Sequence, residues 1–272
     1  MGKIDVEKVV RQKYKGYIPH FLIHAIKKLI HQDEINDILD LQTEVDGVSF
    51  AHKVMDALDF TVDMHNQELL PMTGRYIFIS NHPLGGADGV VLTSILGKLY
   101  DSKINFLVND LLMNISQFGN VFLPINKYGR QSKSSYQRIE EALLSDRQII
   151  TFPAGLCSRK NEKGEIRDLN WSPSFIRMAR KYQRDIVPIF FDSRNSNTFY
   201  KWARWRERMG LKFNYELVLL PDELFKARGA NFDIYIGSTI KVDSLDRDID
   251  DFTIAQSIKT SLYSIPAQTN SL

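Results

Sequence analysis

The residues best suited to chemistry lie in one short segment, 80–89. His82 comes directly after the apolar run of a predicted strand, and Asp88 follows it with Gly85 and Gly86 in between. Two adjacent glycines allow a tight backbone path that can bring the carboxylate back onto the imidazole. Imidazole titrates near neutral pH and suits a general base, while a carboxylate on its second nitrogen fixes the tautomer. We therefore expect His82 to be a base that Asp88 orients.

The protein offers no nucleophile beside this pair. The sequence has no Gly-x-Ser-x-Gly elbow, and its single cysteine, Cys157, has no apparent base partner. We interpret Cys157 as a packing residue, and we expect the group that His82 activates to be a hydroxyl or amine of a substrate. The alternative is a core histidine with Asp88 as a helix cap. The position of His82 directly after a strand favours the functional interpretation.

Four short blocks, in a fixed order, link this segment to a known family. They are Asn81-His82 with Asp88, Gly119-Asn120-Val121-Phe122, Phe152-Pro153-Ala154-Gly155 and Val187-Pro188-Ile189. In this order and spacing they resemble the glycerolipid acyltransferases, which include the bacterial lysophosphatidic acid acyltransferases. The resemblance covers roughly residues 70 to 240.

The resemblance implies a reaction. A fatty acyl group moves from acyl-carrier protein or coenzyme A to the hydroxyl of a lysolipid, with His82 as the base and Asp88 as its partner. Neither a further cofactor nor a metal is implied. Backbone N–H groups of the turn at 85–89 are candidates for binding the developing oxyanion. The family blocks imply that the other substrate-contacting residues are Asn81, Gly85, Gly86, Phe152, Pro153, Gly155 and Ser158.

The sequence departs from the family pattern where the family binds glycerol phosphate. Ala154 replaces a glutamate, Leu156-Cys157 replaces threonine-arginine, and Ile125 stands in place of an arginine. Five residues rather than four also separate His82 from Asp88. Phosphate recognition is therefore either absent or displaced onto nearby basic residues, for which the alternative is a solvated loop. These residues are Lys127, Arg130, Arg159 and Lys160.

The same departures resemble a divergent bacterial branch whose members carry hemolysin or acyltransferase labels. Related enzymes acylate lyso-ornithine or lyso-glycine lipids, whose acceptor hydroxyl belongs to a 3-hydroxy fatty acid. Our main expectation is a lysophosphatidic acid-like acceptor in phospholipid biosynthesis. An aminoacyl lysolipid is the alternative acceptor. A thioester hydrolase and a non-catalytic, hemolysin-like lipid-binding protein also remain open.

The elements that must position these residues alternate between strands and helices after residue 70. This alternation predicts an α/β fold with a largely parallel sheet flanked by helices, which binds ligands at the carboxyl ends of its strands. We assign residues 1–70 to a helical N-terminal region and residues 71–272 to the acyltransferase domain. The predicted strands are 75–80, 104–108, 121–125, 148–152, 186–191, 216–220 and 232–236.

The amino-acid composition restricts the class of protein and its location in the cell. The chain has 272 residues, 43% of them hydrophobic and 25% charged, which excludes collagen-like and disordered proteins. A net charge of +2 is low for a dedicated nucleic-acid binder. One cysteine suits a reducing, cytoplasmic compartment. We find no transmembrane run and no signal sequence, so we expect a peripheral protein on the inner face of the cell membrane.

Two segments have the character of membrane-contacting helices. Residues 18–31 carry an apolar stripe with basic residues on the other faces, and residues 201–208 mix two tryptophans with lysine and arginine. Both patterns favour the interface between a membrane and water. In each case the alternative is a helix that packs its apolar residues against the main domain.

Overall fold

The apolar runs form one seven-stranded sheet in the computed structural model, which describes residues 3–8, 19–125, 132–211 and 214–269. Its spatial order is β1-β9-β8-β2-β5-β3-β4, and every neighbouring pair is parallel except β8 with β9. A separate hairpin consists of β6 and β7. The strands are β1 (Thr61–His65), β2 (Tyr76–Ser80), β3 (Ile104–Asn109), β4 (Phe122–Ile125), β5 (Gln148–Thr151), β6 (Arg159–Lys160), β7 (Ile166–Arg167), β8 (Asp185–Asp192) and β9 (Asn231–Ile236).

The predicted fold class, a largely parallel sheet flanked by helices, is confirmed. The strand predicted at 216–220 is wrong, because Tyr215–Leu219 forms a 3-10 turn that leads into a helix. Pro221 stands at the start of that helix, where its fixed φ suits the first helical turn. The prediction also missed β1, although Val62 and Met64 alternate with polar residues as a strand requires.

Ten α-helices lie wholly within the ranges above. They are α1 (His20–Leu29), α2 (Gln32–Asp40), α3 (Gly47–Ala57), α4 (Ala87–Leu99), α5 (Lys133–Leu144), α6 (Ser174–Tyr182), α7 (Asn197–Arg208), α8 (Leu220–Lys226), α9 (Asp251–Leu262) and α10 (Ile265–Thr269). In the described part of the chain, no helix combines the length and the apolar character needed to cross a membrane.

The core lies on both faces of the sheet because successive strand residues point to opposite sides. Phe78 of β2 packs in one cluster, to which α3 and α4 contribute. Its neighbours Ile77 and Ile79 pack in the other, which contains residues of α5, α6 and α9. Strands buried on both faces carry near-continuous apolar runs, which is why the central strands were readable from the sequence.

The region before residue 70 contributes both helices and a strand to this core. β1 pairs with β9 at the edge of the sheet, and α3 buries Phe50 and Val54 in the same cluster as Phe78. α1 buries Ile23 but leaves Phe21 and Leu22 exposed. The pattern change near residue 70 therefore comes after the chain has already formed one strand of the sheet.

Gly97 allows α3 and α4 to approach closely, and its replacement by alanine tests that packing. A Cβ at Gly97 would lie 2.5 Å from Val48 Cγ1. Overpacking costs about 1–3 kcal/mol, against about 1 kcal/mol gained from better helix propensity. We expect Gly97→Ala to lower the free energy of unfolding by up to about 2 kcal/mol in urea denaturation. Gly89→Ala in the same helix is the control, because the nearest atom to its Cβ is 3.8 Å away. Equal stability of the two variants would contradict this packing.

Candidate active site

His82, in the loop after β2, meets Asp88 in the first turn of α4. The Asp88 carboxylate lies 2.9 Å from Nδ1 of His82 through Oδ2. Asp88 is fully buried, whereas the His82 side chain is 16% exposed. With the carboxylate accepting from Nδ1–H, Nε2 is the nitrogen left to accept a proton from a substrate. The arrangement is that of a base with its orienting carboxylate.

Backbone amides of the same loop also donate to Asp88. Oδ2 accepts from the N–H groups of Leu84 at 2.9 Å and Gly85 at 3.3 Å, and Oδ1 accepts from Gly89 at 2.9 Å. Together with His82, these amides supply hydrogen bonds to both oxygens of a carboxylate that is fully buried. The amides of Gly85 and Gly89, which we expected to bind an oxyanion, are therefore engaged by Asp88 instead.

Gly85 makes this loop possible. Its φ is +77°, in the left-handed region where a side chain is strained. A Cβ there would also lie 2.9 Å from Leu220 Cδ1 at the start of α8. Gly86 follows as the N-cap of α4. The extra residue between His82 and Asp88 is thus accommodated by a tight turn that ends in the helix carrying Asp88.

An apolar cavity of about 240 Å³ opens beside His82. Phe152 stacks on the imidazole, with ring centroids 3.9 Å apart and planes inclined by 16°. Hydrocarbon walls of this kind suit an alkyl chain and exclude water from the base. Further lining residues are Gly86, Val90, Phe106, Leu112, Phe122, Gly155 and Leu224. Four of the predicted substrate-contacting residues, Gly85, Gly86, Phe152 and Gly155, therefore lie at this cavity.

Both backbone groups of His82 are held by buried residues. The His82 N–H donates to Asp168 Oδ1 at 3.2 Å, and its carbonyl accepts from the Ser158 N–H at 2.7 Å. The Ser158 hydroxyl donates to the same Asp168 oxygen at 2.6 Å. Ser158, predicted to contact substrate, thus lies behind the histidine as part of its support.

Asp168 is the residue of this site that sequence reasoning missed. Its other oxygen accepts from the Trp171 indole N–H at 2.8 Å, and the residue is only 5% exposed. Burial raises the pKa of this carboxyl group, while the hydrogen bonds from Ser158 and Trp171 oppose that shift. The Asp168 backbone is bonded to Tyr263 and Lys259 near the C-terminus. No motif marks Asp168, because its contact with His82 joins residues that are 86 positions apart in the chain.

Asn81 and Pro153 also face away from the cavity beside His82. The Asn81 amide accepts from the Phe191 N–H at 2.7 Å and donates to the Phe191 carbonyl at 2.9 Å. These bonds tie the end of β2 to β8. The Pro153 carbonyl accepts from the Ser172 N–H at 2.9 Å. The structure thus places both residues where they support the loops of the site.

The structure describes two of the four basic residues that the sequence offers for phosphate binding. Arg159 is buried, and its guanidinium donates to Glu216 at 2.8 Å and to the Cys157 carbonyl at 2.7 Å. It therefore holds two loops together. Lys160 follows it in the hairpin strand β6. Lys127 and Arg130 lie outside the described residues.

Cys157 is buried between these loops. Burial raises the pKa of its thiol to about 11, so the nucleophilic thiolate is strongly disfavoured near neutral pH. Cys157 packs with Phe199 and Tyr200 of α7. This environment supports our interpretation of Cys157 as a packing residue.

Comparisons with known proteins assign the chain to a family. The acyltransferase family matches residues 7–254 of the chain. The chain belongs to this family and is an acyltransferase. The histidine–carboxylate pair beside an apolar cavity is thus the candidate catalytic site of an enzyme that transfers acyl groups.

Two curated relatives cover nearly the whole chain. Both are lyso-glycine lipid O-acyltransferases, one from Bacteroides thetaiotaomicron at 43% identity and one from Phocaeicola vulgatus at 41%. Each alignment covers 96% of this chain, together with 97% and 95% of the respective relative. The chain is also similar to the crystal structure of a 1-acyl-sn-glycerophosphate acyltransferase from Thermotoga maritima. The match covers 91% of this chain and 93% of the Thermotoga chain, with 12% sequence identity and a TM-score of 0.46.

Asp88→Asn tests the orientation of the base. An asparagine can present its amide N–H to Nδ1, which leaves the proton on Nε2 and removes the acceptor a substrate needs. We expect kcat to fall by about 10²–10⁴-fold, and we expect at least as large a loss for His82→Ala. Asp146→Asn, the same change at an exposed carboxylate, should retain activity. A folded Asp88→Asn protein with normal kcat would contradict the pairing.

Asp168→Asn tests the support behind His82. The substituted amide cannot accept from His82, Ser158 and Trp171 together, so the His82 peptide should lose its fixed position. We expect kcat to fall about 10–100-fold with KM changed less than about twofold, because a small misplacement of the base affects the chemical step. Parallel losses in kcat and in the folded fraction, measured by circular dichroism, would instead indicate a purely structural role. Asp146→Asn is again the control.

Proposed function

We propose that this enzyme transfers a fatty acyl group from a thioester to the hydroxyl of a lyso-glycine lipid. The choice of this acceptor rests on the similarity to two lyso-glycine lipid O-acyltransferases over 96% of the chain. These relatives favour the aminoacyl-lipid alternative over the lysophosphatidic acid-like acceptor that was our main expectation. The site supports the reaction type, since it combines an oriented imidazole with an apolar cavity.

His82 acts as the general base in this proposal. Nε2 takes the proton of the acceptor hydroxyl while the hydroxyl oxygen attacks the thioester carbonyl. The tetrahedral intermediate then collapses, the carbon–sulfur bond breaks, and the imidazolium returns the proton to the departing thiolate. The Asp88 carboxylate stabilises the imidazolium between these two steps. The thioester is already activated, so the protein needs no nucleophile of its own.

The donor is an acyl thioester of acyl-carrier protein or of coenzyme A, and no other cofactor takes part. The acyl chain occupies the cavity lined by Phe106, Phe122 and Leu224. Phe152 covers one face of the His82 ring, which leaves the base accessible from the cavity side. Holding both substrates against one imidazole supplies a large part of the rate through proximity.

The acceptor lacks a phosphate in this proposal, and the environment of Arg159 supports that view. The guanidinium that lies nearest in sequence to the family's phosphate-binding position is buried against Glu216. Ala154, which replaces the family's glutamate, is buried as well. In a lyso-glycine lipid the hydroxyl lies on a 3-hydroxy fatty acid, so the reacting group is surrounded by hydrocarbon on both sides. An apolar cavity next to the base suits such an acceptor.

The enzyme acts peripherally on the cytoplasmic face of the cell membrane. Its acceptor and product are both amphiphiles, which reside in the bilayer. A single cysteine, Cys157, suits a reducing compartment, where acyl thioesters are made. In this location the enzyme takes its donor from solution and its acceptor from the lipid phase.

Acyl transfer by the purified protein tests the proposal. Palmitoyl thioesters are offered with lyso-glycine lipid, lyso-ornithine lipid or lysophosphatidic acid, and products are identified by mass spectrometry. We expect a product only, or at least about tenfold faster, with lyso-glycine lipid, and none with His82→Ala. Faster acylation of lysophosphatidic acid than of lyso-glycine lipid would contradict the proposed acceptor.

The same assay separates the rival functions. Release of free fatty acid without any acceptor, dependent on His82, would indicate a hydrolase. Absence of every product from folded protein that still binds vesicles would indicate a non-catalytic lipid-binding protein. Asp146→Asn should match the unmodified protein throughout, since its carboxylate is exposed and pairs with Lys103 at the surface.

A further inference from the structure

One exposed helix face has a composition that the catalytic site does not explain. Trp202 and Trp205 of α7 are 50% and 49% exposed, and Met209 directly after the helix is 60% exposed. The two indole rings lie edge to face, with centroids 5.6 Å apart. Residues at these positions share one side of a helix. We call this side the α7 outer face; it also carries the exposed residues Lys201, Arg204 and Arg208.

The α7 outer face carries a net positive charge. Lys201, Arg204 and Arg208 are all exposed. The exposed acidic residue of the helix, Glu207, lies 3.3 Å from Arg206, so its charge is offset within the helix. Two half-exposed tryptophans beside a methionine form an apolar patch, and within the described part of the chain no ion pair engages the cations around it. The combination matches a surface that is both apolar and anionic.

The opposite side of α7 is held firmly by the protein. Phe199, Tyr200 and Ala203 are almost completely buried. Arg206 approaches Glu216 at 2.9 Å, and the same glutamate accepts from Arg159. The exposed tryptophans are therefore not part of the side of the helix that packs against the core. Their helix has already buried its inner face, and the outer face remains available to a partner.

α7 also lies next to the catalytic loop. It follows β8, whose carboxyl end is at the same edge of the sheet as the end of β2, because the two strands are parallel. Just before the helix, the Asn195 side chain donates to the Pro83 carbonyl at 3.1 Å, next to His82 in the chain. A surface bound by α7 would thus lie close to the edge of the sheet where the candidate base is found.

We infer that the α7 outer face docks on an anionic lipid bilayer. The inference builds on the proposed function, whose acceptor resides in a membrane. Tryptophan prefers the interface between headgroups and hydrocarbon, and clustered lysine and arginine are attracted by anionic headgroups. A purely acidic protein surface is a weaker fit, because it would leave Trp202 and Trp205 uncovered. Docking would bring the end of the sheet that carries His82 to the surface from which lysolipid is taken.

Intrinsic fluorescence provides a direct test. The chain has three tryptophans, and Trp171 is fully buried, so changes in quenching report mainly on Trp202 and Trp205. The full-length protein is titrated with vesicles of phosphatidylglycerol and phosphatidylcholine. We expect a blue shift of the emission, protection from iodide, and quenching by brominated lipid chains. Vesicles that leave both the emission and the iodide quenching unchanged would overturn the inference.

Charge reversal on the α7 outer face is the second test of membrane docking. We expect Arg204→Glu/Arg208→Glu to weaken vesicle binding by about tenfold or more, since each cation near an anionic surface contributes severalfold. Lys133→Glu/Arg138→Glu makes the same charge change on the exposed side of α5 and should bind like the unmodified protein. Equal binding by both double variants would contradict docking through α7.

Other occupants of the face give different results. A raised KM for acyl-carrier-protein donors in Arg204→Glu/Arg208→Glu, with vesicle binding unchanged, would assign the face to the carrier protein. Loss of a dimer in analytical ultracentrifugation of Trp202→Gln/Trp205→Gln, again without an effect on vesicles, would assign it to a second copy of the chain. Either outcome overturns membrane docking. The vesicle assay needs no acyl donor, so failure of the proposed reaction would leave its outcome readable.

Discussion

The buried carboxylate of Asp88 is the interaction on which the rest of the site depends. It accepts from His82 and from three backbone amides, those of Leu84, Gly85 and Gly89. A buried carboxyl group needs such a set of donors, because burying a polar group without hydrogen bonds is costly. The same hydrogen bonds also determine the path of the loop. The orientation of the His82 ring, the turn at Gly85 and the start of α4 are therefore linked through one buried side chain.

A second buried carboxylate works from behind the histidine. Asp168 holds the His82 N–H, while Ser158 holds its carbonyl, so the peptide groups on both sides of the base are fixed. Asp168 is itself anchored by Trp171 and by the C-terminal residues Lys259 and Tyr263. Pre-organisation of this kind matters for a base that must meet a hydroxyl in one geometry. Through Asp168, residues at the end of α9 thus help to position the candidate base.

The departures from the glycerolipid acyltransferase pattern form a consistent picture with the structure. The third block places Phe152 and Gly155 at the cavity, whereas Arg159 pairs with Glu216 away from it. Glu216 also lies beside Arg206, on the inner side of the helix that exposes Trp202 and Trp205. Arg159, which the sequence suggests for a phosphate, thus connects the loop at Cys157 to α7 through Glu216. This connection agrees with an acceptor recognised mainly through its hydrocarbon.

The sequence by itself predicted most of the strands and the candidate pair His82 and Asp88, because these depend on local order along the chain. Continuous apolar runs predicted the central strands, and His82 with Asp88 was readable as a histidine after a strand followed by glycines. Only the tertiary structure decided the roles of Asp168, Ser158 and Arg159, since their partners lie up to 95 residues away in sequence. It also decided that residues 216–220 are helical, because burial of Glu216 between two arginines is a long-range requirement. Local pattern predicts which segments form; the burial of charge decides which of their side chains meet.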